Sequence, residues 1–312
     1  EDLDNKGVVL TLTAYAKSPC NPTEFTIGVV NITIQWPPVA DAGDDVTICD
    51  NQTFTTDGTL TNAVTGFWTG GNGSFDDPTS MNAVYTPGAD DLTAGYVDLC
   101  LTANPIAPCA DPSTPDCMRL YFQTSPTADA GDDGIVCATG TYTVAPGDAK
   151  IYNSSGYYWY TNNGTGSLVN GNTATPSYTP SPADTLQGYV DLCLEAKSLD
   201  PCTLNSIPDC MRINIQNNPI ANAGSDASTC ELTSYQITGA SAQFGSWIKW
   251  ETSGDGYFTD ENDENPLYTL GPNDFGNTSV TLTMTVNAVG PCLGIAKDHM
   301  YLYIQKIGRA HV

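Results

Sequence analysis

Short runs in which apolar and polar residues alternate are the dominant pattern of this chain. Residues 97–101, 118–122, 280–284 and 300–304 each place an apolar side chain at every second position. A period of two is typical of strands that bury one face and expose the other. Clusters of Gly, Asn, Asp, Ser and Pro, such as residues 70–73, separate the runs and indicate turns. No segment of useful length shows the helical period, so the pattern predicts an all-β protein.

The alternating runs belong to an internal repeat. A motif Pro-x-Ala-Asp/Asn-Ala-Gly-x-Asp begins at Pro38, Pro126 and Pro219, and Trp68, Trp159 and Trp250 recur with it. An interval of about 90 residues, short strands and one tryptophan per interval favour an immunoglobulin-like β-sandwich for each repeat. The predicted fold is therefore an elongated tandem array of immunoglobulin-like sandwiches. The predicted segments are 1–36, the C-terminal part of a truncated first repeat; 37–125, the second repeat; 126–218, the third; 219–306, the fourth; and 307–312, a non-native tail.

The last six residues break the repeat pattern. Gln305 aligns with Gln123 and Gln216, and in those two repeats a junction proline follows within three residues. Residues 307–312 contain no proline, are basic, and resemble the translation of a common sequencing adapter. We therefore expect this segment to make no native contact.

Composition and charge narrow the class of protein. The chain carries 35 acidic and 10 basic residues, a net charge of −25, which excludes a phosphate backbone as partner and so predicts no nucleic-acid binding. Charged residues make up 14% and apolar residues 40%, so a core can form. No run of eighteen apolar residues occurs, which predicts no membrane span in this segment. Eleven cysteines with only two histidines favour disulfides over zinc sites, and hence a secreted or cell-surface, extracellular protein.

The junction motif resembles the opening of a known family of repeats. Pro-x-Ala-Asp/Asn-Ala-Gly-x-Asp followed by a cysteine is similar to the start of PKD-like (polycystic kidney disease-type) repeats, and residues 250–258 and 265–269 are similar to their middle. Such repeats occur in tandem in large surface and secreted proteins of gliding-type bacteria that use type IX secretion. The resemblance implies the sandwich fold, an extracellular location, and a role as spacer, stalk or adhesive arm. It implies no catalytic activity.

Two cysteine positions recur in every complete repeat. One lies eleven residues after the junction proline, and the other lies eight residues after a shared apolar strand motif. If each repeat closes on itself, the pairs are Cys49–Cys109, Cys137–Cys202 and Cys230–Cys292. Cys20 is then left without a partner. The alternative interpretation is that these cysteines are reduced and buried and form no disulfides.

Four further cysteines occur only in the second and third repeats. Cys100 and Cys117 are both on the outward side of alternating strands, so they can face each other across an antiparallel pair. The same register sets Asp98 opposite Arg119. The third repeat has the equivalent pairs, which are Cys193–Cys210 and Asp191–Arg212. The sequence therefore predicts two cross-strand disulfides on the solvent face, each beside an ion pair.

Candidates for chemistry are few. Clustered carboxylates at the junctions suit calcium, which takes six to eight oxygen ligands, whereas turn-forming acidic linkers are the plainer interpretation. The carboxylates concerned are Asp41, Asp44, Asp45, Asp129, Asp132 and Asp133. His299 is expected on the surface opposite Thr283, and no nucleophile–base set or nucleophile elbow is present. The sequence thus predicts a non-enzyme with no cofactor, calcium being the one candidate.

Two functional classes remain open. The favoured hypothesis is a structural or adhesive extracellular repeat protein: a disulfide-stapled rod that forms a bacterial surface stalk, adhesin or filament. Its partners would be other repeats of the same chain, further copies of the protein, or surface glycans. The alternative is an accessory carbohydrate-binding region of a larger secreted polysaccharide-degrading enzyme. Tyr157, Tyr158 and Tyr160 around Trp159 are the aromatic cluster that would favour it.

Overall fold

The computed structural model describes residues 7–231 and 233–306, and almost all of its regular structure is β. The tail predicted for residues 307–312 lies outside the described residues. Contacts divide the chain into two compact units. Unit 1 extends to Ser125 and also takes in Leu199–Leu204, while unit 2 consists of Pro126–Ser198 and the chain from Asn205 onward. No helix of the described ranges has the length and apolar character needed to cross a membrane.

Unit 1 contains eleven strands and one short helix in its described part. Its elements are β1 Gly7–Tyr15, β2 Phe25–Thr33, β3 Val39–Asp41, β4 Val46–Cys49, β5 Phe54–Thr55, β6 Thr59–Thr61, β7 Gly66–Thr69, β8 Ser74–Phe75, β9 Val84–Thr86, α1 Ala89–Ala94, β10 Tyr96–Ala103 and β11 Asp116–Gln123. A four-stranded sheet has the order β4-β11-β10-β7, a three-stranded sheet the order β5-β9-β8, and β3 pairs with β6. β10 and β11 are antiparallel, whereas β4 runs parallel to β11.

The core of the second repeat lies between these sheets. Leu99 and Leu101 of β10 and Leu120 of β11 are fully buried, as their alternation predicts, and they pack with Trp68 of β7 and Tyr85 of β9. Each large apolar side chain buried in this way contributes about 1.5–3 kcal/mol. The apolar alternation therefore decides which face of the four-stranded sheet turns inward and which faces solvent.

Unit 2 repeats this arrangement twice. Its elements are β12 Thr127–Asp129, β13 Gly134–Cys137, β14 Tyr142–Thr143, β15 Lys150–Tyr152, β16 Gly156–Thr161, β17 Ser167–Val169, β18 Ser177–Thr179, α2 Pro182–Gln187, β19 Tyr189–Lys197, β20 Asp209–Gln216, β21 Ile220–Asn222, β22 Ala227–Cys230, β23 Ser234–Gln236, β24 Ser241–Gln243, β25 Gly245–Thr252, β26 Tyr257–Phe258, β27 Leu267–Thr269, a 3₁₀ turn Asp274–Gly276, β28 Ser279–Ala288 and β29 Ile295–Gln305. The four-stranded sheets are β13-β20-β19-β16 and β22-β29-β28-β25, in the same order as in unit 1. Trp159 and Trp250 are buried in the two cores, as Trp68 is in the second repeat. The tandem immunoglobulin-like sandwich fold is confirmed.

The hairpin of the first repeat differs from its counterparts. β1 and β2 pair only with each other in the described ranges, and residues 25–33 are all exposed, as is Leu12 at 74% of its surface. The equivalent strands β10 and β11 bury their apolar side chains against β3 and β9. The first repeat therefore lacks a core among the described residues.

Candidate functional site

The cross-strand disulfides form as the sequence predicts. Cys100 and Cys117 are paired in the β10–β11 register with a Cα–Cα distance of 4.0 Å. Cys193 and Cys210 are paired in the same way, also at 4.0 Å. Both pairs were expected on the solvent face, but Cys193 is only 1% exposed. The neighbouring strand β16 places Tyr160 beside Cys193.

Each of these bridges lies beside an ion pair. Arg119 Nε and Nη2 donate to the two carboxylate oxygens of Asp98 at 2.7 and 2.9 Å, and the guanidinium lies 4.3 Å from the ring centroid of Tyr96. The hydrogen bonds from Arg119 lower the pKa of Asp98. In the third repeat, Arg212 makes the same bidentate contact with Asp191. Both partners of Asp98–Arg119 are well exposed, so solvent screens the ion pair and it contributes little to stability.

The remaining bridges connect different repeats, and the pairing predicted within each repeat is wrong. Cys49 bonds to Cys202, and Cys137 bonds to Cys292, with Cα–Cα distances of 4.8 Å in both cases. The sequence separations are 153 and 155 residues. Cys109 is a free thiol, so the Cys49–Cys109 bond does not form. The predicted Cys137–Cys202 and Cys230–Cys292 bonds are excluded in the same way, because Cys137, Cys202 and Cys292 have other partners and Cys230 is free.

The parallel pairing of β4 with β11 explains this result. It places Cys49 beside Gln123, the last residue of β11. Cys109 lies in the loop that precedes β11, at the opposite end of the strand. The first and last Cα atoms of the eight-residue strand β11 lie seven intervals apart, which is about 23 Å at ~3.3 Å per interval. A disulfide needs Cα atoms within about 7 Å. A cysteine at the end of β4 can therefore reach a loop of the next repeat but cannot reach the loop of its own.

The third repeat supplies that loop. Residues Leu199–Leu204 belong to unit 1, and Cys202 places its sulfur 3.4 Å from the carbonyl oxygen of Gln123. Cys49 and Cys202 are both buried. Beside them, Ser125 donates to both carboxylate oxygens of Asp50 through its backbone amide and its hydroxyl, at 3.1 and 2.5 Å. The end of β11 is therefore held by the Cys49–Cys202 disulfide and by the two Ser125–Asp50 hydrogen bonds.

The junction carboxylates hold backbone amides. Asp45 accepts a hydrogen bond from the Arg119 amide at 2.7 Å, and Asp133 accepts the equivalent bond from Arg212 at 2.7 Å. Asp226 does the same for Tyr301 at 2.9 Å. These contacts fasten each junction to the outward positions of the last strand of the repeat. They account for an acidic residue at this motif position in all three repeats without a metal.

The other predicted calcium ligands are arranged similarly. Asp41 and Asp129 accept bonds from the amides two residues ahead, both at 3.0 Å, and Asp129 also lies 3.5 Å from Lys150 Nζ. Asp44 and Asp132 are both exposed. Within the described ranges, the one group of three potential ligand atoms is that of Cys49, Asp50 and Cys202, and both sulfurs are consumed by the disulfide. The junctions therefore do not gather their carboxylates around one point, and calcium stays a prediction of the sequence.

Sequence reasoning missed a buried tyrosine–aspartate pair that recurs in each complete repeat. The Tyr85 hydroxyl donates to Asp91 at 2.5 Å, Tyr178 to Asp184 at 2.7 Å, and Tyr268 to Asp274 at 2.9 Å. Every one of these side chains is buried. In each pair the aspartate follows the tyrosine by six residues, so the signal was present in the sequence.

The carboxylate of Asp91 organises the loops around it. It accepts backbone N–H bonds from Gly88, Gly73 and Asn72 at 2.9–3.1 Å, in addition to the Tyr85 hydroxyl. Burial alone would raise the pKa of Asp91, but these hydrogen bonds outweigh it, and the pKa is lowered. Burial together with the bond to Asp91 raises the pKa of Tyr85 to about 12. The pair therefore supports the start of α1 and fixes the loop between β7 and β8, which is a structural role.

His299 lies opposite Thr283 on the exposed face of β29, as predicted. Its ring makes an edge contact with Tyr301 at 5.3 Å. Around Trp159, the rings of Tyr158 and Tyr160 lie 5.8 Å apart on the outer side of β16, while Tyr157 packs against the core.

Comparison with known proteins gives likenesses of fold at low identity. No family model and no curated protein sequence matches the chain. Among solved structures, mouse cadherin-23 EC22-24 has 13% identity and a TM-score of 0.44, and the match covers 87% of this chain and 99% of that one. Protocadherin gamma B2 domains 3–6 has 14% identity and a TM-score of 0.37, covering 98% and 84%. Drosophila N-cadherin EC1-4 has 13% identity and a TM-score of 0.40, covering 96% and 84%. All three TM-scores are below 0.5, so these likenesses establish no shared activity or ligand.

Proposed function

We propose that the chain is part of an extracellular structural or adhesive protein, a rod of immunoglobulin-like repeats in which disulfides transmit tension from one repeat to the next. The observation that carries the proposal is the pair of long-range bridges, Cys49–Cys202 and Cys137–Cys292. A bond within a repeat protects that repeat alone, whereas these bonds connect each repeat to its successor. Four disulfides also support an oxidising, extracellular location.

The finer assignment rests on the sequence resemblance. The junction motif and the mid-repeat motif support a surface stalk, adhesin or filament of gliding-type bacteria, with other repeats or further copies of the protein as partners. In a stalk, adhesin or filament, such sandwiches bear mechanical load and do not catalyse a reaction. Small-angle scattering of the purified chain tests the elongated array, and a compact particle contradicts it. Hydrolysis of a polysaccharide or peptide by the purified chain contradicts the assignment as a non-enzyme.

Single-molecule pulling tests the mechanical proposal. A reduced chain stretched between residues 7 and 306 can reach about 108 nm at ~3.6 Å per residue. In the oxidised chain, the shortest covalent path runs from residue 7 to Cys49, crosses to Cys202, returns to Cys137 and crosses to Cys292. That path contains about 120 residues and limits the extension to about 44 nm. An oxidised chain that extends as far as the reduced one contradicts the proposal.

A second candidate is glycan binding, as in an accessory region of a polysaccharide-degrading enzyme. Tyr301 and Tyr303 are 40% and 44% exposed on the outer face of β29, and their ring centroids lie 6.5 Å apart. Exposed aromatic pairs provide a large, rigid contact surface for a ligand. Calorimetry with soluble polysaccharides, comparing Y301A/Y303A with the exposed control Y257A, tests this candidate. Loss of binding in the double variant alone supports it, and absence of binding in all forms rejects it.

A further inference from the structure

Cys230 occupies the same structural position as two cysteines that are already bonded. Parallel pairing sets Cys49 beside Gln123, Cys137 beside Gln216, and Cys230 beside Gln305. In each case the following residue donates its amide to that glutamine carbonyl, at 3.0, 2.8 and 3.0 Å. Cys49 and Cys137 are bonded to loop cysteines of the next repeat, while Cys230 is an exposed free thiol. Its surroundings are therefore those of the strand-end half of a bridge between repeats.

Cys20 and Cys109 occupy the position of the loop half. The amide of Cys202 donates to the carbonyl oxygen three residues earlier at 2.9 Å, and those of Cys20 and Cys109 do the same at 3.1 and 3.0 Å. Cys109 also holds its sulfur 3.5 Å from the Gln35 carbonyl, as Cys202 holds its sulfur near Gln123. Both Cys20 and Cys109 are free thiols, and Cys20 is the more exposed.

We propose that Cys230 is the strand-end half of a third inter-repeat disulfide, and that its partner is a loop cysteine of the Cys20 type on another repeat of this kind. This rests on the proposed function, since it adds one more disulfide of the same kind between repeats. A second copy of the chain supplies the partner in a test. Cys109 is disfavoured as the partner of Cys230, because an incoming Cys230 would bring its own Gln305 into the space that Gln35 occupies.

The bond forms by thiol–disulfide exchange with a low-molecular-weight disulfide such as oxidised glutathione. One thiolate attacks the glutathione disulfide, releases one reduced glutathione and becomes a mixed disulfide. The thiolate of the partner then attacks that mixed disulfide and releases the second glutathione. The two protein thiols lose two protons and two electrons, and the glutathione disulfide gains them to become two thiols.

The test uses the oxidised chain with its four bridges intact in a glutathione buffer, with non-reducing electrophoresis and peptide mapping as readouts. We expect covalent oligomers in which Cys20–Cys230 links are about tenfold or more as abundant as Cys20–Cys20 links, and likewise as Cys230–Cys230 links. Random pairing of equally reactive thiols would make them only about twofold as abundant as each. A ratio near twofold overturns the proposal, as does a chain that remains monomeric while both thiols become glutathionylated.

Single substitutions provide the matched controls. C20S alone retains Cys230, C230S alone retains Cys20, and an equal mixture of the two should form the heterodimer in preference to either homodimer. C109S should leave the oligomers unchanged, and loss of oligomers in C109S contradicts the assignment of Cys20. None of these changes touches the bridges Cys49–Cys202 and Cys137–Cys292, so failure here leaves the pulling experiment as an independent test of the proposed function.

Discussion

Replacing Asp91 by Asn tests whether the buried tyrosine–aspartate pair stabilises each sandwich. Asp91 accepts hydrogen bonds from three backbone amides and the Tyr85 hydroxyl, and the residue is 6% exposed. Asparagine has one carbonyl oxygen in place of two carboxylate oxygens. Whichever way its amide turns, the NH₂ group faces at least one backbone N–H donor, and the acceptor no longer carries a charge.

The expected cost follows from those contacts. A buried donor left without an acceptor costs about 1–3 kcal/mol, and the bonds that remain lose the strength that a charged acceptor gives them. We therefore expect D91N to destabilise the second repeat by about 3 kcal/mol. For a domain of this size, 1 kcal/mol shifts the melting temperature by about 4–8 °C, so the transition of this repeat should fall by roughly 12–24 °C.

The assay is calorimetry with D90N as the matched control. Asp90 is the neighbouring residue in the first turn of α1, is exposed, and carries the same charge. D90N should change the melting temperature by no more than a few degrees. If D91N and D90N shift it equally, the hydrogen-bond network does not contribute the stability assigned to it.

Further predictions concern pH, the bridges and calcium. Because the folded-state pKa of Asp91 is lowered, its contribution is complete above about pH 4, the ordinary unfolded value, and is lost as pH falls through the folded value. The pKa of Tyr85 is raised to about 12, so its contribution to stability is complete below about pH 10 and is lost as the pH rises toward 12. Urea unfolding across both pH ranges should show that D91N loses less stability in acid and in alkali than the unchanged chain does. C202S should destabilise unit 1 by up to about 5 kcal/mol in the chain-entropy model, whereas C109S, at the same loop position but unbonded, should not; equal effects would contradict the bridge. EDTA should leave the melting temperature unchanged, since Asp45 and Asp133 already bind backbone amides, and a clear fall would instead assign calcium to the junctions.

The register between the last two strands of each repeat was predictable from the sequence. Alternation fixes which side chains of β10 and β11 face outward, and one register then pairs Cys100 with Cys117 and Asp98 with Arg119 together. Two independent pairs that agree on one register leave little freedom. The same reasoning succeeded in the third repeat and placed His299 opposite Thr283 in the fourth.

The partner of Cys49 was not predictable in that way. β4 has only four residues, and nothing in its alternation shows that it runs parallel to β11. That direction puts Cys49 at the far end of the repeat, so the choice between Cys109 and Cys202 is decided by topology. The helices α1 and α2 escaped notice because six residues are too few to show a helical period.

Cutting the backbone between Ser125 and Pro126 shows whether a disulfide joins the second repeat to the third. A protease site inserted there separates the second repeat from the third except through Cys49–Cys202. We predict that the cleaved chain migrates as one covalent species without reductant, separates into two pieces with reductant, and separates without reductant in C202S. If the cleaved, oxidised chain with all its cysteines separates at once, the disulfides lie within repeats and the account of tension passing between them is wrong.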